Sequence, residues 1–138
     1  MNQNIKFCTA TDGVSIAYAS IGTGPPFVKA ANWMNHLEHD ATSPVWRHVI
    51  EEFSRDHEFI RYDERGTGLS DRNVEGLSVD AFVGDLEAVV DARGLDRFPL
   101  FAISQGGAVA ISYAVKHPAK VSHLIMLGAF ATGWNRTG

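Results

Sequence analysis

The sequence predicts an α/β fold: a mostly parallel sheet with helices on both faces and an antiparallel hairpin at its N-terminal edge. Three observations predict it. From Phe27 onward, short apolar runs alternate with segments of helical periodicity in the order β-α-β-α-β-α-β, which is what a parallel sheet with crossover helices requires. Ahead of Phe27, two segments of period two flank a turn signal. No repeat or linker interrupts the 138 residues, so one domain is expected over residues 1–138, long enough to bury roughly two thirds of its unfolded surface.

The elements read as follows. Ile5-Lys6-Phe7-Cys8-Thr9 and Val14-Ser15-Ile16-Ala17-Tyr18 alternate on either side of Thr11-Asp12-Gly13, the pattern of a hairpin. Gly22-Thr23-Gly24-Pro25-Pro26 breaks the chain before a mostly apolar strand, Phe27 to Ala31. A polar loop is expected from Asn32 to about Thr42. Ser43 suits a helix cap with Pro44 in the first turn, and Val45, Trp46, Val49, Ile50 and Phe53 then share one helical face. His57 to Tyr62 reads as a strand and Asp63 to Ser70 as a loop punctuated by glycine. Ser78 caps the next helix, whose apolar positions are Val79, Phe82, Val83, Leu86, Val89 and Val90, with Gly94 at its end. Phe98 to Ile103 is a buried strand, Gln105 to Lys116 a helix of small apolar residues stopped by Pro118, and Val121 to Leu127 a last strand.

Composition excludes several classes. Twelve Lys plus Arg against sixteen Asp plus Glu give a net charge of −4, which is unsuited to a phosphate backbone. Five Pro and 13 Gly without a period exclude collagen and argue against disorder. The single cysteine, Cys8, has no internal disulfide partner. No apolar run reaches the ~18 residues of a membrane span. Met1 to Lys6 lacks the charged-then-apolar design of a leader. The expectation is a cytoplasmic protein with neither a nucleic-acid nor a membrane partner.

The segment Phe101-Ala102-Ile103-Ser104-Gln105-Gly106-Gly107 carries the chemistry. Ser104 sits between an apolar strand and a helix, with small residues two before and two after it. That is the nucleophile-elbow pattern G-x-S-x-G, with Ala102 in place of the first glycine. Small residues are needed because the turn is so tight that a side chain there would strike a neighbouring strand or helix. The turn would lift the Ser104 hydroxyl above the sheet, at a helix N-terminus whose dipole favours an oxyanion. On this stretch alone, a tight turn in which Ser104 merely caps the helix is an equal alternative.

The surroundings add to it. Asp63-Glu64-Arg65-Gly66-Thr67-Gly68-Leu69-Ser70 resembles the D-x-R-G-x-G-x-S loop of the α/β-hydrolase fold family. His117-Pro118-Ala119-Lys120-Val121 is similar to the H-P-x-x-V stretch that follows the elbow helix in that family. His36-Leu37-Glu38, Trp46 and Asp85-Leu86-Glu87-Ala88-Val89 resemble a branch found alone or attached to bacterial signalling and regulatory proteins. The resemblance covers nearly the whole chain, in order. It implies a truncated α/β-hydrolase sheet lacking the C-terminal strands and cap. It also implies a serine hydrolase that acts on a small ester or related carbonyl substrate by acyl transfer. Ser104 would be the nucleophile, and the backbone N–H groups of Gln105 and Trp33 the oxyanion donors. Trp33 is assigned by position, because Ala31-Asn32-Trp33 stands where many members carry His-Gly. No cofactor is implied.

The family triad runs Ser, then acid, then His, and no Asp or Glu follows Ser104 in this sequence. His117 matches a structural position at the end of the elbow helix, and His123 falls in the last strand. His36 and His39 lie in the loop on the side where the elbow opens. His36 is therefore the candidate base, the alternative being that both are solvated loop residues. His36-x-x-His39-Asp40 has no readable third ligand, so no metal site is expected. Arg65, Gly66, Gly68 and Ser70 read as loop structure, with Arg65 pairing with Asp63 or Asp71. Gly66-Thr67-Gly68 lacks the remainder of a phosphate loop. The competing function is a non-catalytic ligand-sensing or interaction module, or the remnant of a split hydrolase gene. The last strand, Val121 to Leu127, is apolar and carries no Pro, Lys or Glu. As an edge it would recruit a second copy through antiparallel pairing, with Phe130 and Trp134 exposed beyond it.

Overall fold

The computed structural model describes residues 2–133; Trp134 lies outside the described residues. The elements are β1 (Asn4–Thr9), β2 (Ser15–Ile21), β3 (Pro26–Lys29), α1 (Leu37–Thr42), α2 (Arg47–Phe53), β4 (Glu58–Tyr62), α3 (Val79–Arg93), β5 (Phe98–Ile103), α4 (Gly106–Lys116) and β6 (Val121–Leu127). They build one six-stranded sheet in the order β1-β2-β4-β3-β5-β6. β1 and β2 pair antiparallel, and so do β2 and β4. β4-β3, β3-β5 and β5-β6 are parallel. The expected mixed sheet, mostly parallel with an antiparallel N-terminal pair, is what forms.

The opening hairpin turns at Gly13, whose φ of +90° falls where a side chain is strained. Successive strand residues then face opposite sides of the sheet. Val28, Ile60, Leu100 and Ala102 pack under α3 and α4 with Leu86, Val89, Val109 and Tyr113. Phe27, Phe59 and Phe101 face the other way, against Ile50 and Phe53 of α2. There the rings of Phe27 and Phe53 meet edge-on at 5.1 Å. Each such aromatic or aliphatic side chain, fully buried, contributes about 1.5–3 kcal/mol. Helices thus cover both faces.

Two local expectations are corrected. The stretch from Asn32 to Thr42 is not loop throughout, because α1 occupies Leu37–Thr42. Its N-cap is His36, whose Nδ1 accepts the His39 N–H at 3.4 Å. Histidine is outside the usual cap set of Ser, Thr, Asp and Asn, and Leu37 is the single buried residue of the helix, so no periodicity announced it. The second helix also starts later than Ser43. The Ser43 hydroxyl accepts the Val45 N–H at 3.1 Å within a turn, and α2 begins at Arg47, leaving Val45 exposed. The α3 ends form as expected: Ser78 accepts the Ala81 N–H and Gly94 is left-handed at φ +61°.

The loop from Asp63 to Ser70 is a structural tie. Asp63 Oδ2 accepts the N–H groups of Leu69 (2.8 Å) and Leu37 (3.3 Å), joining this loop to α1. Ser70 Oγ donates to the Asp63 carbonyl and accepts the Ala17 N–H of β2. Arg65 pairs with neither Asp63 nor Asp71; its partners are Asp85 on α3 and Asp12 in the hairpin turn. The reason is geometric. Asp63 Oδ2 faces the Leu69 and Leu37 N–H groups and Asp71 Oδ2 accepts the Ser15 N–H, while Asp85 on α3 is the buried carboxylate that faces the guanidinium.

Candidate active site

β5 enters the site one strand in from the β6 edge, between β3 and β6. Its last turn places Ser104 at φ +52°, a left-handed conformation for a residue with a side chain. That conformation costs about 1–2 kcal/mol, and such strain persists only where the surroundings hold it. They do so here. The Ser104 N–H donates to the Leu127 carbonyl of β6 at 3.3 Å, and the Ser104 carbonyl accepts the Gly107 N–H at 3.1 Å. The glycines that follow are required by their neighbours. A Cβ on Gly106 would lie 3.0 Å from the Ala31 carbonyl oxygen at the end of β3, and one on Gly107 would lie 2.7 Å from Ala129 Cβ. Ala102, two before the serine, is fully buried. Ser104 itself is partly exposed and precedes the 11-residue helix α4, whose N-terminal dipole faces any negative charge formed there.

The loop after β3 supplies the opposite wall. Asn35 is buried: its Nδ2 donates to the Tyr62 carbonyl at 2.8 Å and its Oδ1 accepts the Asn32 N–H. Through it the loop hangs from the end of β4. Met34 turns the chain at φ +64°. The Trp33 N–H donates to Gln105 Oε1 at 2.7 Å. An sp² oxygen therefore already sits on one expected oxyanion donor, and it belongs to the residue carrying the other. The structure brings Ser104, Gln105 and Trp33 together.

The histidines are placed otherwise. His36 holds the α1 cap through Nδ1, so its neutral ring carries the proton on Nε2. To accept a proton from a serine, it must first give up that cap. His39 is exposed, with its ring 4.2 Å from that of His36. His117 caps the end of α4 and bonds Glu87 Oε2 at 2.8 Å, while His123 on β6 contacts Ser122. Among the described residues, no three His, Cys, Asp or Glu side chains converge where a metal ion could sit.

Beside the loop lies a cavity of about 250 Å³ that the sequence did not disclose. Its polar wall includes Lys29 and Arg61, both buried. Burial lowers the Lys29 pKa to about 8. A buried carboxyl, Glu64, lies nearby, pushed up to about 7 by burial and by the charge of Asp85. In the sequence, Lys29 between apolar residues was the available signal for a buried cation.

A mixed, mostly parallel sheet with a left-handed serine at the β5–α4 turn defines the fold class of the α/β hydrolases. The comparisons agree. The model of the alpha/beta hydrolase fold family matches residues 37–137. This chain belongs to that family. It is 33% identical to the AB hydrolase superfamily protein YisY of Bacillus subtilis, over 89% of this chain and 44% of that protein. It is 29% identical to the 2-hydroxy-6-oxo-2,4-heptadienoate hydrolase of Pseudomonas putida, over 99% of this chain and 49% of that one. Among solved structures, the esterase RhEst1 from a Rhodococcus superposes with a TM-score of 0.79 at 28% identity, covering 92% of this chain and 46% of its own. The chain spans about half the length of the curated relatives it matches. No helix among the described residues is long and apolar enough to cross a membrane.

Proposed function

We propose that Ser104 is the nucleophile of a serine hydrolase acting on a small ester or related carbonyl substrate. Residues 1–138 form a single domain in this reading. As the Ser104 hydroxyl oxygen adds to the substrate carbonyl carbon, its proton passes to a base, the carbonyl oxygen takes the negative charge, and the N–H groups of Gln105 and Trp33 receive it. Collapse breaks the bond to the alcohol oxygen, which takes that proton and leaves, and water hydrolyses the remaining acyl-enzyme. The observation that carries this reading is the left-handed Ser104 at the start of α4. The Gln105 amide oxygen on the Trp33 N–H supports it, because it marks that donor as aimed at an oxygen beside the serine. No Asp or Glu lies between Ser104 and Gly138. His36 is the base available in the neighbouring loop, at the cost of its cap.

The same Gln105 contact favours a second reading, a ligand-sensing or interaction module in which the donor is permanently occupied. Labelling with a fluorophosphonate probe separates the two. A covalent adduct mapped to Ser104 and lost in Ser104→Ala supports the hydrolase. No adduct in the wild-type chain after prolonged incubation sinks the nucleophile assignment and leaves the binding module.

A partner is also proposed. β6 is the sheet edge, and Leu124, Ile125, Met126 and Leu127 on it are exposed, as is Phe130 beyond it. A second copy pairing there antiparallel would bury both edges. The proposed setting is cytoplasmic, with a small-molecule substrate and no nucleic-acid partner.

A further inference from the structure

We propose that the cavity between the Asn32–Asn35 loop, α1, α2 and the sheet binds a small carboxylate carried on an apolar body, with Lys29 and Arg61 as its anion-holding groups. Lys29 and Arg61 stand one step beyond the Val28–Ile60 pair of the parallel strands β3 and β4, side by side on the α2 face. Both line the cavity, and they are 8% and 4% exposed. Two buried like charges placed together are a cost to the fold, which Asp40 and Asp63 offset in part through space, with Glu64 acting on Lys29 as well. Lys29 Nζ bonds neutral oxygens, Asn32 Oδ1 at 2.6 Å and the Ala30 carbonyl at 3.4 Å. One Arg61 terminal nitrogen reaches the Gln3 side-chain oxygen at 2.7 Å, and its buried Nε has no partner. Among the described residues, neither cation forms an ion pair.

Asp40 is the one carboxylate on the cavity wall. The lining side chains alone therefore carry one positive charge in excess, which matches a monoanion; Asp63 and Glu64 act on the cations through space without lining the cavity. Beside Asn32 and Asn35, Trp33, Trp46 and Phe59 give the wall a large apolar part, and Lys29 already lies 5.8 Å above the Trp46 ring. Such walls favour a ligand with an apolar body and penalise a compact, fully hydrated ion, whose lost hydration they cannot replace. A volume of about 250 Å³ lies just under the ~300–1,000 Å³ of drug-sized pockets. That size suits an aromatic or short aliphatic carboxylate. Ser104 is not among the lining residues, so the inference does not depend on the nucleophile assignment.

Titration calorimetry at pH 7, where Lys29 is still charged, tests it with three probes: benzoate, benzyl alcohol and inorganic sulfate. Tryptophan fluorescence gives a second readout through Trp33 and Trp46. The expected result is saturable benzoate binding, with the alcohol and sulfate each weaker by about tenfold or more. Lys29→Met removes a buried charge while keeping the length of the side chain, so it should fold and lose benzoate affinity by at least about tenfold. Arg61→Gln should act in the same direction. No saturable benzoate binding up to about 10 mM overturns the inference, as does unchanged binding in a folded Lys29→Met protein. Equal binding of benzyl alcohol would make this a purely apolar pocket, and equal binding of sulfate a bare anion site; either result also overturns it. The three-probe comparison on the wild-type chain needs no variant to fold.

Discussion

Asp85 is the residue whose loss should cost this fold most for the fewest atoms removed. It lies on α3 with its side chain wholly buried. Its Oδ1 accepts Arg65 Nε at 2.9 Å and an Arg65 terminal nitrogen at 2.7 Å, while its Oδ2 accepts the Arg65 backbone N–H at 2.9 Å. The Arg65 side chain is only 3% exposed, whereas its other partner, Asp12, is 52% exposed. Asp85→Ala therefore leaves a buried guanidinium with only the half-exposed Asp12 as a side-chain partner, a change that costs up to about 3–5 kcal/mol. Domains of this kind are stable by only about 5–15 kcal/mol in total, so that variant is expected at the edge of unfolding. Asp85→Asn keeps the shape and one acceptor oxygen but loses the charge, and should cost about 1.5–3 kcal/mol. Asp12→Ala removes a solvent-screened partner and should cost no more than about 1 kcal/mol. The double change Arg65→Met with Asp85→Leu removes both charges together, and should be less damaging than Asp85→Ala alone. Urea titration followed by circular dichroism, extrapolated linearly, gives all four values. An Asp85→Asn protein within ~1 kcal/mol of wild type, or an Asp12→Ala protein as unstable as Asp85→Ala, would refute the reasoning.

Three other outcomes are expected. Gln105→Ala should free the Trp33 N–H from a bond worth about 1 kcal/mol, and so raise the rate of fluorophosphonate labelling at Ser104 roughly fivefold; slower labelling would show that the amide helps hold the site instead. Glu64 is 3% exposed, and burial raises its pKa to about 7 from 4.5. Between those pH values the unfolded chain has given up its proton and the native chain has not, so stability falls as pH rises. The wild type should lose on the order of 3 kcal/mol relative to Glu64→Gln across that interval, and parallel urea midpoints in the two proteins would contradict this. For the β6 edge, light scattering coupled to size exclusion should show about twice the 15.1 kDa chain mass, and Leu124→Lys with Met126→Lys should return the monomer; a wild-type monomer at high micromolar concentration sinks the pairing.

Most of the sheet was legible because strand burial leaves a local record. Val28, Ile60 and Leu100 alternate with Phe27, Phe59 and Phe101 to serve opposite faces, and the Ser78 and Gly94 ends of α3 use the chemistry that helix ends use everywhere. α1 was not legible because what fixes it is remote. Its first N–H is taken by Asp63, 26 residues later, and its cap is a histidine. The Arg65 pairing failed for the same reason. Asp63 and Asp71 are near in sequence but each turns an oxygen to backbone N–H groups of other segments, and the partner that counts lies 20 residues away on α3.

The candidate site divides along the same line. The elbow could be read because its demands fall on near-consecutive residues: the small side chains at Ala102, Gly106 and Gly107 recur at fixed spacing about Ser104, although the atoms that require the glycines, Ala31 and Ala129, lie on neighbouring segments. The Trp33 donor could be placed by position, but not its occupant, since Gln105 reaches it across 72 residues of sequence. The cation pair is harder still. Lys29 and Arg61 come together only because β3 and β4 are paired in parallel at one register, and a shift of one residue would send the two side chains to opposite faces. A lysine amid Phe27, Val28, Ala30 and Ala31 reads locally as a blemish in a buried strand. Set beside Arg61 in a cavity walled by Trp33 and Trp46, it is a buried charge with no carboxylate in direct contact among the described residues. That is the physical ground for seeking an anion there, whether or not Ser104 proves to be a nucleophile.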